Sequence, residues 1–182
     1  MTRQKRQSIK ITAAAVFFSA LVVLTGCSRS PLTTTDVEQP EPQVLTRSVN
    51  LVPGGPQLSP LDLYIEDTVS AATGGRLELV DVVLEIPPYA VDNDTVFSIL
   101  IPSLDEFYNE FGTSGLEFNV PVTVTMSYRS ADLSSVDEST IRLGWLNEET
   151  GRWQDMVCEV DQVNKTVTGE LHHFSAYALV SD

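Results

Sequence analysis

Val122-Thr123-Val124-Thr125-Met126-Ser127-Tyr128 alternates apolar and small polar residues without a break. Successive side chains of a strand point to opposite faces, so Val122, Val124, Met126 and Tyr128 share one face while Thr123, Thr125 and Ser127 share the other. A helix would spread the same residues around its circumference. The stretch therefore reads as a half-buried strand, rich in the β-branched residues that suit a pleated surface. Toward the N-terminus, residues 95–101 are apolar on both faces, as a central strand requires. Val82, Leu84 and Ile86 form one face before Pro87-Pro88 ends the run, and Leu77 and Leu79 alternate with Arg76 and Glu78. Toward the C-terminus, Ile141, Leu143 and Trp145 repeat the pattern, and residues 147–151 supply a hairpin loop before Trp153. A second hairpin at 161–165 leads into a strand over 166–171, and residues 174–180 are again apolar on both faces. Eight or nine short strands with frequent turns predict an all-β, antiparallel β-sandwich over residues 61–182.

One segment departs from the two-residue period. Ser103-Leu104-Asp105-Glu106 has the spacing of a capping box, and Leu104, Phe107, Tyr108 and Phe111 recur at helical spacing. Both a short helix and a strand fit 104–111, the periodicity favouring the helix.

Four motifs in order resemble a known family. Gly74-Gly75-Arg76-Leu77 opens a strand leading to Ile86-Pro87-Pro88-Tyr89-Ala90, and Gly115-Leu116-Glu117-Phe118 precedes Pro121-Val122. Asn147-Glu148-Glu149-Thr150-Gly151-Arg152-Trp153 then sits between two strands, and Thr166-Val167-Thr168 leads to His173-Phe174-Ser175-Ala176-Tyr177-Ala178-Leu179. The order is similar to that of the β-sandwich (ZU-type) domain of zonula-occludens proteins and netrin receptors, also present in ankyrins and in bacterial lipoproteins, and it covers residues 74–181. The resemblance implies a binding or scaffold module rather than an enzyme, with an extended segment at 104–111. It names no ligand.

The first 26 residues have another character. Arg3, Lys5, Arg6 and Lys10 form a basic start, and residues 11–23 are mostly apolar. That run is shorter than the roughly 20 residues a spanning helix needs, so it matches a signal peptide. Leu24-Thr25-Gly26-Cys27 resembles the lipobox of bacterial lipoproteins. The resemblance implies cleavage between Gly26 and Cys27, lipid (diacylglyceryl and palmitate-type chains) on Cys27, and anchorage to a membrane of the cell envelope. More than one chain is needed for stable anchoring. In a Gram-negative host Ser28, where Asp would favour inner-membrane retention, points to the outer membrane. Residues 27–60 carry the lipidated cysteine and six prolines without apolar periodicity, and read as a disordered linker.

Charge narrows the partners. Cleavage would remove four of the 11 basic residues and none of the 25 acidic ones, leaving seven against 25, a net charge of −18. Such an excess repels nucleic acid and acidic lipid. With Cys27 lipidated, Cys158 has no disulfide partner; flanked by Met156, Val157 and Val160, it reads as a buried, inert core residue. One thiol and two histidines do not supply a metal site at the usual ligand spacings. Asp92-Asn93-Asp94 lacks the other ligands and glycine of a Ca²⁺ loop and reads as a turn. No cofactor is expected.

His173-Phe174-Ser175 is the chemical candidate. In eukaryotic relatives such a tripeptide cleaves itself: the histidine acts as base on the hydroxyl, which attacks the preceding carbonyl, here that of Phe174. In a regular strand His173 and Ser175 would share a face. The competing reading makes them the start of the last strand, with Phe174 filling the core. Trp145, Trp153, Tyr89 and Tyr128 would form a sugar-stacking platform if exposed, and core residues if their strands bury them. The expected function is a non-enzymatic, membrane-anchored lipoprotein meeting a protein or glycan; the alternatives are self-processing at Phe174-Ser175 and a carbohydrate-binding module.

Overall fold

A computed structural model describes residues 41–48 and 63–182, and contains twelve strands among them. They are β1 (Gln43–Val44), β2 (Tyr64–Val69), β3 (Gly75–Leu79), β4 (Val82–Ile86), β5 (Thr95–Leu100) and β6 (Tyr108–Gly112), then β7 (Glu117–Ser127), β8 (Arg142–Asn147), β9 (Arg152–Asp155), β10 (Cys158–Asp161), β11 (Thr166–His173) and β12 (Ala176–Ser181). The signal peptide, the cleavage site at Gly26-Cys27 and most of the linker lie outside the described residues.

Two antiparallel sheets form the sandwich. One has seven strands, ordered β2-β5-β6-β12-β8-β9 with β1 also on β12; the other has five, ordered β10-β11-β7-β4-β3. Val122, Val124, Met126 and Tyr128 point inward, as their alternation predicts, and meet Leu84, Leu143, Val167 and Leu171 in one core. β12 is central, between β6 and β8, and all six of its residues are buried. β7 is also central, yet carries Pro121. The proline falls where the register with β11 slips between Leu171 and His173, so its missing N–H leaves no gap in the regular ladder. Gly74 has φ +69, and a Cβ there would lie 2.1 Å from the Ile86 carbonyl oxygen. Only glycine allows the turn from β2 into β3 to pass that close.

Residues 104–111 are not helical. Phe107, Asn109 and Phe111 point inward and Tyr108 and Glu110 outward, which is the alternation of a strand. A polar residue at the buried middle position hides that period in the sequence. Ser103 Oγ accepts from the Asp105 N–H at 3.0 Å, a local turn in place of a capping box. Asn109 is fully buried; its amide nitrogen reaches only Met126 Sδ at 3.6 Å, and its Oδ1 has no partner. An orphaned buried acceptor costs about 1–3 kcal/mol. Asn109→Leu, close in volume, is therefore expected to leave the urea midpoint unchanged or raise it.

Part of the segment read as a linker to Pro60 belongs to the sandwich. Residues 43–48 lie on the sandwich: Gln43 and Val44 pair with Ser181 and Val180, continuing the edge of β12 beyond β6. The Leu45 N–H donates to the Leu179 carbonyl at 2.8 Å, the Arg47 N–H to Asp105 at 2.8 Å and the Ser48 N–H to Ser130 at 2.7 Å. Leu45 is buried, and so is Arg47. The Arg47 guanidinium makes a bidentate pair with Asp81 at 2.9 and 3.0 Å, donates to the Glu106 carbonyl, and lies 4.3 Å from the centre of the Phe107 ring. Burial pushes the Asp81 carboxyl above its usual range, while the Arg47 charge and hydrogen bonds pull it back. These partners lie far away in sequence, so no local pattern announces them. The connection over 49–62 thus joins two parts of the domain.

Candidate functional site

The crossing from β11 to β12 carries the His-Phe-Ser tripeptide. His173 ends a strand of the five-stranded sheet and Ala176 begins one of the seven-stranded sheet, so the chain changes sheets at Phe174-Ser175. Phe174 is driven into the core, with ring centres 5.1 Å from Phe97, 4.8 Å from Phe118 and 5.8 Å from Phe111. The face expected to be shared by His173 and Ser175 is not formed, because the backbone turns between them. His173 packs edge-on against Trp145 at 5.3 Å and lines one hollow; Ser175 lines another and donates its hydroxyl to the Leu146 carbonyl at 3.4 Å. No hydrogen bond joins the two side chains among the described residues. The Gly115 N–H does donate to the Phe174 carbonyl at 3.0 Å, and the Phe174 N–H donates to Leu116 at 2.9 Å. Both bonds tie the crossing to the turn before β7.

The four aromatics singled out in the sequence are not brought together. Tyr128 is core, its hydroxyl donating to Glu138 at 2.8 Å; Trp145 is half-buried beside His173; Tyr89 stands exposed in a turn at φ 64. Trp153 lies against Tyr108 with ring centres 6.0 Å apart. Cys158 is partly exposed rather than buried, and its sulfur accepts from the Leu143 N–H at 3.4 Å. Asp92 accepts from the Asn119 amide and Asp94 from the Ala71 N–H, each at 2.9 Å, which braces the turn expected there.

A different set of side chains converges on the outer face of the seven-stranded sheet. Tyr64 pairs with Leu100, Leu100 with Glu110 and Glu110 with Ala176; farther along, Leu146 pairs with Trp153. Directly paired residues share a face, so these form one cross-strand row. Small residues, Gly112 and Ala176, lower its middle, and a hollow of about 350 Å³ opens there. Tyr64 and Tyr108 flank it, with Glu110 and Glu148 at its rim. Each tyrosine donates to the glutamate two residues on: Tyr108 to Glu110 at 3.2 Å, Tyr64 to Glu66 at 2.5 Å. A signal existed in the sequence, since Tyr64-Ile65-Glu66 and Tyr108-Asn109-Glu110 repeat one pattern whose ends share a strand face.

Burial, then the charge and hydrogen bond of Glu110 and the charge of Glu148, push the Tyr108 hydroxyl up to about 12. Tyr177 is raised by burial, and Tyr128 by burial and then by Glu138. A raised phenol contributes stability that is full below its ordinary value of 10.0 and is lost as pH climbs through the folded value. Urea midpoints are therefore expected to hold up to about pH 9 and fall progressively from there to pH 12. Absorbance at 295 nm should show these phenolates appearing together with unfolding.

Compared with known proteins, the chain matches no family model and no curated protein.

Proposed function

We propose that the chain is a lipid-anchored lipoprotein of the cell envelope whose β-sandwich is a non-enzymatic interaction or structural module. The observation that carries this reading is the division of labour at the C-terminus. Phe174 is spent on the core and Ser175 on a backbone carbonyl, while the outer face of the seven-stranded sheet is left with an open hollow of aromatic and carboxylate side chains. The lipobox-like Leu24-Thr25-Gly26-Cys27 and the basic, then apolar, N-terminus support the anchor; in a Gram-negative host Ser28 supports the outer membrane. The acidic composition supports a partner other than nucleic acid.

Labelling cells with palmitate analogues should give a labelled protein of the processed mass, and Cys27→Ala should abolish the label. Persistent label in that variant, or none in the parent, overturns the anchor. Self-processing at Phe174-Ser175 is the second reading, favoured by the Gly115 N–H already bonded to the carbonyl that would be attacked. Intact mass spectrometry distinguishes the two. A single uncut species is expected, and a fragment spanning 175–182 would reverse the order of the readings.

A further inference from the structure

We propose that the hollow on the outer face of the seven-stranded sheet receives a lysine or arginine side chain presented by a partner protein. This rests on the reading of the sandwich as an interaction module and names the chemistry of its partner.

Its walls and floor suit a long cationic side chain part by part. Such side chains lay an apolar stem along apolar surface and keep the charged end at a polar rim. Leu100, Leu146 and Ala176 supply the apolar floor. Glu110 and Glu148 supply the charged rim, and no lysine, arginine or histidine lines the hollow. Neither carboxylate has an ion-pair partner among the described residues, so both are available to a cation from outside. The Tyr108 ring beside Glu110 offers a π face, and its hydroxyl donates to that carboxylate. A phenol donating to an anion becomes more electron-rich, which strengthens its attraction for a cation. The whole chain, at a formal net charge of −14, steers a basic partner toward such a surface.

The same hollow suits a neutral glycan less well. Sugar stacking needs a broad ring face open to solvent. Of the two rings that flank the hollow, Tyr108 is half-buried and edge-packed on Trp153, and Tyr64, though exposed, has its hydroxyl held by Glu66. A neutral sugar also leaves two carboxylates without a counter-charge.

The test uses the full chain in mild detergent and follows backbone amide and indole signals by NMR. Three probes are added separately: a glycine–lysine repeat peptide, the same peptide with its lysines acetylated, and a neutral β-linked tetrasaccharide. The lysine peptide should give saturable shifts at residues 108–112, at Ala176 and at the Trp153 indole, and the acetylated peptide should give none. Glu110→Gln with Glu148→Gln should weaken binding about tenfold or more, as loss of close charge pairs does. Glu159→Gln with Glu170→Gln, an equal charge change on the five-stranded sheet, should change it less than about twofold. Shifts spread over the surface and weakened alike by both pairs would reduce the effect to net charge and overturn the proposal. So would an unshifted hollow, or shifts there with the tetrasaccharide alone. Lipid labelling is read independently, so failure of the hollow leaves the anchor standing, and failure of the anchor leaves the hollow.

Discussion

Arg47→Ala is expected to lower the unfolding free energy by about 3–5 kcal/mol, because it strands a buried carboxylate. The side chains of Arg47 and Asp81 are only 3% and 12% exposed, and the pair is bidentate. The loss is more than one ion pair. The guanidinium also holds the Glu106 and Ser103 carbonyls and covers the Phe107 ring, so three contacts of the 103–107 loop go with it. Arg47→Lys should restore little, since an ammonium cannot reproduce the planar fork. The double change Arg47→Met with Asp81→Leu should recover most of the loss, since a buried pair replaced by apolar groups is often neutral. Urea denaturation of the four proteins checks the series. A single-variant loss under about 1 kcal/mol would mean that residues 43–48 rest on the sandwich without being part of it.

Phe174→Ala is expected to destabilise the domain by about 3–5 kcal/mol, the range for deleting a buried aromatic ring. Phe174 lies at the centre of an aromatic cluster with Phe97, Phe111 and Phe118, where edge-to-face contacts add to the lost burial. Ser175→Ala, by contrast, removes one long hydrogen bond to Leu146 and should cost about 1 kcal/mol or less. The contrast separates the two readings of the tripeptide. Packing predicts a large effect at 174 and a small one at 175, while self-processing predicts that Ser175→Ala changes the mass of the protein. Thermal unfolding with intact mass on the same samples tests both.

The sheets were legible because their signal is local. The alternation over 122–128 and most of the two-faced apolar run over 174–180 each reflect one strand and its own burial, the last strand starting at Ala176 rather than at Phe174. The tripeptide was legible as a motif but not as geometry, since no spacing rule shows that the chain changes sheets between His173 and Ser175. The segment 104–111 misled for one reason: Asn109 occupies a core position and breaks the apolar alternation. Residues 43–48 are too few to show a period, and what holds them comes from Asp81, Asp105, Ser130 and Leu179, distant in the chain. The outer-face hollow was half legible. Tyr64-Ile65-Glu66 and Tyr108-Asn109-Glu110 announce themselves as repeats, but only strand order places them on neighbouring parts of one surface.

Fastening of residues 43–48 to β12 also sets the length of the leash. With lipid on Cys27, as proposed, the first residue seen held to the sandwich lies near Glu41 rather than at residue 61. The 14 residue steps from 27 to 41 extend to at most about 50 Å, against about 120 Å for the 34 steps to 61. The effective concentration given by a flexible tether falls roughly as the −3/2 power of its length, so going from 34 to 14 steps changes it about fourfold. The local concentration of the binding face, as felt by any partner held in the same membrane, rises by the same factor without a single new contact. Arg47, buried and not among the residues lining the hollow, would in this way act on encounter frequency rather than on affinity.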